Sequence, residues 1–290
     1  MRFITFRTAN AEGLAALSGE HDAFGLLEHD PHYPGDLLSL LSQGSGAIRN
    51  AYDRLLSGPP IDLREVQLLP PIQRPGKIIC VGLNYRDHAA ESGFEISGYP
   101  TLFARFSSSL IGHNSPLVRP KVSDQLDYEG ELVAVIGKRG RHVSREGALA
   151  HIAGYSIFND GSVRDYQLKT TQWTMGKNFD GTGAFGPEFV TADELPSGAQ
   201  GLRLETRLNG AVVQSASTSD MIFDVSALVS IISEVMTLEP GDIIVSGTPS
   251  GVGMARNPKL FMKPGDVCEV EIEGIGTLTN YVVAEDGGGQ

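Results

Sequence analysis

Two glutamates one residue apart, Glu129 and Glu131, stand in the run Leu126-Asp127-Tyr128-Glu129-Gly130-Glu131-Leu132. An aspartate, Asp160, follows about thirty positions later in Gly154-Tyr155-Ser156-Ile157-Phe158-Asn159-Asp160. Side chains alternate across a strand, so the two glutamates are expected on one face, about 6.5–7 Å apart along it. The apolar stretch Leu132-Val133-Ala134-Val135-Ile136 carries that strand into a core. Carboxylates held together at the edge of a core repel unless a cation sits between them. No His or Cys stands beside them, and an all-oxygen set suits a hard divalent ion, Mg²⁺ or Mn²⁺. Alternating charge is also how a solvated strand face reads, as Glu269, Glu271 and Glu273 do between Cys268, Val270 and Ile272.

Other residues add to the pair. Asn84-Tyr85-Arg86-Asp87-His88-Ala89-Ala90-Glu91 follows a strand-like run. On a helix His88 and Glu91 share a face, and a carboxylate beside an imidazole orients a general base; a surface ion pair is the plainer reading. Gly247-Thr248-Pro249-Ser250-Gly251-Val252-Gly253 follows a strand end. Its glycines permit close backbone approach, and its N–H groups could face an anion or simply close a tight turn. It is neither a phosphate loop nor a dinucleotide fingerprint, because no Gly-Lys-Ser/Thr closes it and Arg256 stands where a third glycine would fall. Lys177, among aromatic and small residues, is either a buried lysine paired with anions or a snorkelling surface one.

The 290 residues suffice for one large domain or a large one plus a small one. A net charge of −12 and a pI near 5.0 argue against nucleic acid as a partner. Cys80 and Cys268 are far apart, each in a strand-like run, which fits reduced, buried thiols. No long uncharged apolar stretch and no apolar N-terminal run are present, so the expectation is a cytoplasmic protein without a membrane partner.

Helical spacing of apolar residues marks 36–41 and 47–56. Pro59-Pro60, Pro70-Pro71 and Pro75-Gly76 then punctuate the chain. This organisation predicts a small N-terminal α/β domain over 1–72, a main domain over 73–284, and a disordered tail over 285–290. The main domain reads mostly as strands: 77–82, 126–137, a hairpin turning at Asn209-Gly210, 243–245, and a last hairpin through Gly274-Ile275-Gly276. One helix starts at Asp224 with the stripe Val225, Leu228, Val229, Ile232 and Met236, and is closed by Pro240-Gly241-Asp242. The fold class expected is α+β and β-rich.

Five ordered motifs over about residues 75–282 resemble the fumarylacetoacetate hydrolase family. They are Asn-Tyr-x-x-His-x-x-Glu from Asn84, Asp-Tyr-Glu-x-Glu-Leu from Asp127, Asn-Asp-x-Ser-x-Arg-Asp-x-Gln from Asn159, Gly-Lys-x-Phe-Asp from Gly176, and Gly-Thr-Pro-x-Gly-Val-Gly from Gly247. The resemblance implies the mixed β-sandwich or roll peculiar to that family and a homodimer. It implies Mg²⁺ or Mn²⁺ on Glu129, Glu131 and Asp160. It also implies substrate contacts from Gln167, Lys177 and Thr248, and a water-activating pair, His88 and Glu91, on a segment that orders as a lid. Arg105 takes the place of a lysine found in many members and is expected to contact substrate. Gly130 replaces a usual β-branched residue.

The chemistry so implied is hydrolysis of the C–C bond of a 2,4-diketo acid to pyruvate and a carboxylic acid. The metal acts as Lewis acid, His88 activates water, and Lys177 stabilises a pyruvate enolate. Decarboxylation of oxaloacetate and isomerisation of 2-hydroxymuconate-type acids pass through the same kind of enolate and are rivals on one scaffold. A non-catalytic metal-bound protein is the remaining alternative; the His88–Glu91 pair speaks against it.

Overall fold

A computed structural model describes residues 1–19, 22–87 and 98–286. The strands in chain order are β1 (Arg2–Arg7), β2 (Glu12–Ser18), β3 (Asp22–Leu27), β4 (Gln67–Leu69), β5 (Ile78–Gly82), β6 (Thr101–Arg105), β7 (Leu110–Ile111), β8 (Leu117–Arg119) and β9 (Leu126–Asp127). They continue as β10 (Gly130–Ile136), β11 (Ile152–Asp160), β12 (Ser162–Val163), β13 (Gly183–Thr191), β14 (Arg203–Leu208), β15 (Ala211–Ser217), β16 (Ile243–Val245), β17 (Val267–Ile272) and β18 (Gly276–Ala284). The helices used below are α1 (Leu37–Gln43), α2 (Ser45–Leu56), α3 (Arg164–Gln167), α4 (Thr174–Lys177) and α5 (Val225–Val235).

The architecture is the β-rich α+β fold expected. One eleven-stranded sheet runs β3-β2-β1-β13-β11-β10-β16-β5-β6, with β4 on β1 and β7 on β13. A five-stranded sheet, β15-β14-β17-β18-β8, packs beside it. Alternation sorts the core into two layers. Leu132, Ala134 and Ile136 of β10 join Leu204, Val270, Ile272 and the α5 residues Leu228, Val229 and Ile232. Val133 and Val135 point the other way, into a layer with Phe158, Cys80, Leu40, Leu41, Ile48 and Leu55 under α1 and α2. Both cysteines are buried free thiols.

Local chemistry accounts for the elements. Asp36 and Asp224 cap α1 and α5 by accepting from Ser39 and Ala227 N–H. Asn209 and Gly210 take positive φ, 53° and 79°, as the two-residue hairpin turn requires. Helix α5 ends at Val235, before Pro240, because Met236 is already extended. The strand expected over 126–137 is broken: Tyr128 and Glu129 lie between β9 and β10.

Across residue 72 the hydrogen bonding is continuous. Arg2 and Phe3 of β1 pair with Val190 and Phe189 of β13, and α1 and α2 share a core with β5, β10 and β16. The tail expected beyond 284 lies, from residue 287 on, outside the described residues.

Candidate active site and metal centre

The break before β10 is what places the first ligand. Glu129 N–H donates to Asn159 Oδ1 at 3.0 Å, and Asp160 N–H donates to Glu129 O at 2.8 Å, so the end of β11 holds Glu129 against Asp160. Glu131 follows inside β10, opposite Phe158. One carboxylate oxygen from each of Glu129, Glu131 and Asp160 lies within 4.8 Å of the others, and all three residues are buried. Gly130 between them has no room for a β-branched side chain. A Cβ there would sit 2.2 Å from Thr206 Oγ1 and 2.9 Å from Val270 Cγ1.

Buried cations surround the triad in alternation. Asp127 pairs with Arg164 (2.8 Å), Arg164 with Glu129 (2.7 Å), Glu129 with Lys177 (2.5 Å), Lys177 with Asp160 (2.7 Å), and Asp160 with Arg105. This chain of six charges is neutral as a whole. Glu131 stands outside it. Its Oε2 accepts from Gly247 N–H at 2.5 Å, and it forms no ion pair among the described residues. Burial, reinforced by Asp160 and Glu129, drives its pKa well above the usual carboxylate range. A buried carboxylate without a counter-ion beside two others, in a set with no soft donor, fits a hard divalent cation. Burial pulls the Lys177 pKa down, but Asp160 and Glu129 outweigh it and raise it, so Lys177 is an ammonium.

A cavity of about 220 Å³ opens onto this cluster. Its floor is Glu129, Glu131, Arg164, Gln167, Lys177 and Thr248, and its outer wall is apolar, with Phe103, Leu168, Trp173 and Met254. A larger cavity of about 590 Å³ lies between α2 and the far ends of β10 and β11, but its lining includes no carboxylate cluster. Chemistry, not volume, marks the site.

Of the residues singled out in sequence, Glu129, Glu131, Gln167, Lys177 and Thr248 line this cavity, and Asp160 lies directly behind them. Gln167 Oε1 accepts from Arg164 Nη1 at 2.8 Å. Thr248 Oγ1 donates to Gly130 O and accepts from Gln214 Nε2. Arg105 is off the cavity wall, on the far side of Asp160. His88 and Glu91 lie outside the described residues, as does most of the lid expected over 84–98.

The glycine loop does face anions, and they are the site's own. Gly247 N–H serves Glu131, and the N–H groups of Gly253 and Met254 serve the two oxygens of Asp127. Asp127 also takes Tyr128 N–H and Arg164 Nε, so its acceptors are filled.

Arg164 is the residue that sequence reading passed over. Its side chain lines the cavity and is 4% exposed; Nη1 reaches Glu129 and Gln167, and Nη2 is buried with no hydrogen-bond partner among the described residues. The signal was present: Arg164 and Gln167 are three apart on one helical turn within the motif that carries Asp160.

Residues 77–283 match the fumarylacetoacetate hydrolase C-terminal domain. The chain belongs to the fumarylacetoacetate hydrolase family. The mitochondrial oxaloacetate tautomerase FAHD2A of Homo sapiens is 38% identical over 289 residues, which are 98% of this chain and 92% of that protein. The fumarylacetoacetate hydrolase of Exiguobacterium antarcticum superposes with a TM-score of 0.85 at 37% identity, covering 98% of this chain and all of that one. A 2-hydroxyhepta-2,4-diene-1,7-dioate isomerase from Mycobacterium marinum superposes at 0.77 with 36% identity, covering 98% and 99%. As a member of this family the protein is an enzyme of the fumarylacetoacetate hydrolase superfamily. The cytoplasmic expectation is overturned: relatives from human, rat, frog and cattle are mitochondrial proteins. Two reduced, buried thiols do not distinguish one reducing compartment from another.

Proposed function

We propose that this enzyme interconverts the enol and keto forms of a metal-chelated 2-oxo acid, with oxaloacetate the first substrate to test. The observation that carries the reading is a pair of buried cations lining the cavity, each with donor capacity left over. Arg164 Nη2 has no protein acceptor among the described residues, and of the three Lys177 ammonium protons two go to Glu129 and Asp160. Both groups are cationic and buried, so a negative oxygen developing between them is stabilised without reorganisation. The near full-length similarity to oxaloacetate tautomerases supports the same reading.

Mg²⁺ or Mn²⁺ held by Glu129, Glu131 and Asp160 would supply a Lewis acid at the 2-oxo group. The reaction itself moves one proton between the enol oxygen and C3 and breaks no C–C bond. Lys177 and Arg164 hold the oxyanion formed as that proton leaves, Gln167 and Thr248 orient the acid, and His88, aligned by Glu91, carries the proton. Four carboxylates (Asp127, Glu129, Glu131, Asp160) face three cations (Arg105, Arg164, Lys177), so a divalent ion leaves the site one unit positive, suited to an anionic substrate. The active form is proposed to be a homodimer, with 1–72 a small unit docked on the catalytic domain.

Hydrolysis of a 2,4-diketo acid is the second reading, favoured by the likeness to the Exiguobacterium hydrolase. The test is one panel with Mg²⁺: decay of the ultraviolet enol band of oxaloacetate, and pyruvate release from acylpyruvates. Fast enol decay without pyruvate supports the tautomerase. Pyruvate from an acylpyruvate with no acceleration of enol decay refutes it.

A further inference from the structure

We infer that Arg105 is a positioning residue that holds the metal ligand Asp160 and makes no contact with substrate. The inference rests on the metal centre described above. Arg105 is the last residue of β6, and its side chain is 0% exposed. Every nitrogen of its fork is engaged within the protein. Nη1 donates to Asp160 Oδ1 and to Gly161 O at 3.2 Å, Nη2 to Thr182 Oγ1 at 2.8 Å, and Nε to Ser109 Oγ at 3.3 Å. The guanidinium lies over the Phe158 ring at 5.6 Å.

The start of β13 is shaped to admit this fork. A Cβ at Gly183 would come within 2.9 Å of Nη2 and 3.1 Å of the guanidinium carbon. Asp160 is therefore gripped on both oxygens, by Arg105 from behind and by Lys177 from the cavity side. Each carboxylate oxygen retains lone-pair capacity for an ion. A lysine supplies a point charge in place of a fork, so it cannot hold Asp160, Thr182 and Ser109 together. Loss of the fork frees Asp160 to turn, and the consequence falls on the metal before it falls on the substrate.

The experiment compares Arg105→Lys with the unsubstituted enzyme by direct Mn²⁺ titration, following free Mn²⁺ by electron paramagnetic resonance, and then by steady-state kinetics across Mn²⁺ concentration. Arg105→Lys is expected to raise the Mn²⁺ Kd about tenfold or more, the scale of losing a group that orients a ligand. Saturating Mn²⁺ should restore KM and kcat to within roughly threefold, because nothing that touches substrate has changed. Thr182→Val, which removes one fork partner and keeps the charge, should move the Mn²⁺ Kd in the same direction and serves if Arg105→Lys does not fold. Unchanged Mn²⁺ affinity in both variants overturns the inference. So does a raised substrate KM that persists at saturating Mn²⁺, which is the signature of a substrate contact. The Mn²⁺ titration reads the inference even if no 2-oxo acid is turned over, so its failure and that of the proposed reaction are separable.

Discussion

Replacing Glu188 by Gln should change how stability depends on pH. Glu188 lies on β13 with its side chain 9% exposed. Its Oε1 accepts from Arg2 Nη1 at 3.0 Å, while its Oε2 has no partner among the described residues. Burial pushes its pKa from 4.5 up to about 7, with Arg2 opposing. A raised folded-state pKa means that the folded protein keeps a proton the unfolded chain has lost. Below pH 4.5 both states are protonated and nothing is lost. Between pH 4.5 and 7 the unfolded chain ionises first, so stability falls, and above 7 the loss is complete. At 1.36 kcal/mol per unit, the shift corresponds to about 3 kcal/mol. Glutamine copies the protonated form and does not titrate. Urea unfolding of both proteins at pH 5 and pH 8 gives the difference curve, in which every other titrating group cancels. Glu188→Gln should gain about 2.5 kcal/mol over the native protein between those two pH values, the remainder of the loss having already occurred at pH 5. A flat difference curve, or one sloping the other way, refutes the reasoning.

Chelation with subsequent dialysis should abolish turnover, and Mg²⁺ or Mn²⁺ should restore it; Glu131→Ala should abolish Mn²⁺ binding in a titration, and tight binding in that variant would remove Glu131 from the centre. Arg164→Lys should lower kcat by about 10²-fold if its spare Nη2 holds the oxyanion, with Mn²⁺ affinity as the check on Glu129. His88→Ala should slow the proton transfer by about 10²-fold or more, read from the enol band; an unchanged rate would take the proton away from His88. Gly130→Val should cost about 1–3 kcal/mol in urea unfolding, since Thr206 and Val270 occupy the space its side chain needs.

The strands and helices were legible where their signals are local. Asp224 before an apolar stripe and Asn209-Gly210 between alternating runs specify a cap and a turn without help from the rest of the chain. Glu129, Glu131 and Asp160 were legible as candidate ligands because no soft donor stands beside them, although a solvated strand face would read the same way. The geometry that brings them together was not. Glu129 and Glu131 looked like one strand face, whereas Glu129 lies before the strand and is placed by Asn159 and Asp160. Nor could spacing reveal that the glycine loop serves Asp127 and Glu131, because those partners are more than a hundred residues away. The resemblance alone made Arg105 a substrate contact; only the packing of β6 shows that its fork goes to Asp160, Thr182 and Ser109.

The pairing of β1 with β13 also sets an order of events during synthesis. Arg2 finds Val190 across the sheet, so β1 leaves the ribosome well before β13, the last made of its strand partners. At 5–20 residues per second the interval is roughly 10–40 s. Over that time β1 can pair with β2 and, once residues 67–69 appear, with β4 beyond Thr5. The edge at Arg2 and Phe3 stays open, and Phe3, fully buried in the finished protein, is exposed beside it. An open strand edge with an aromatic side chain is a template for wrong pairing. The nascent β1–β2–β3 meander is therefore open to wrong pairing until β13 arrives.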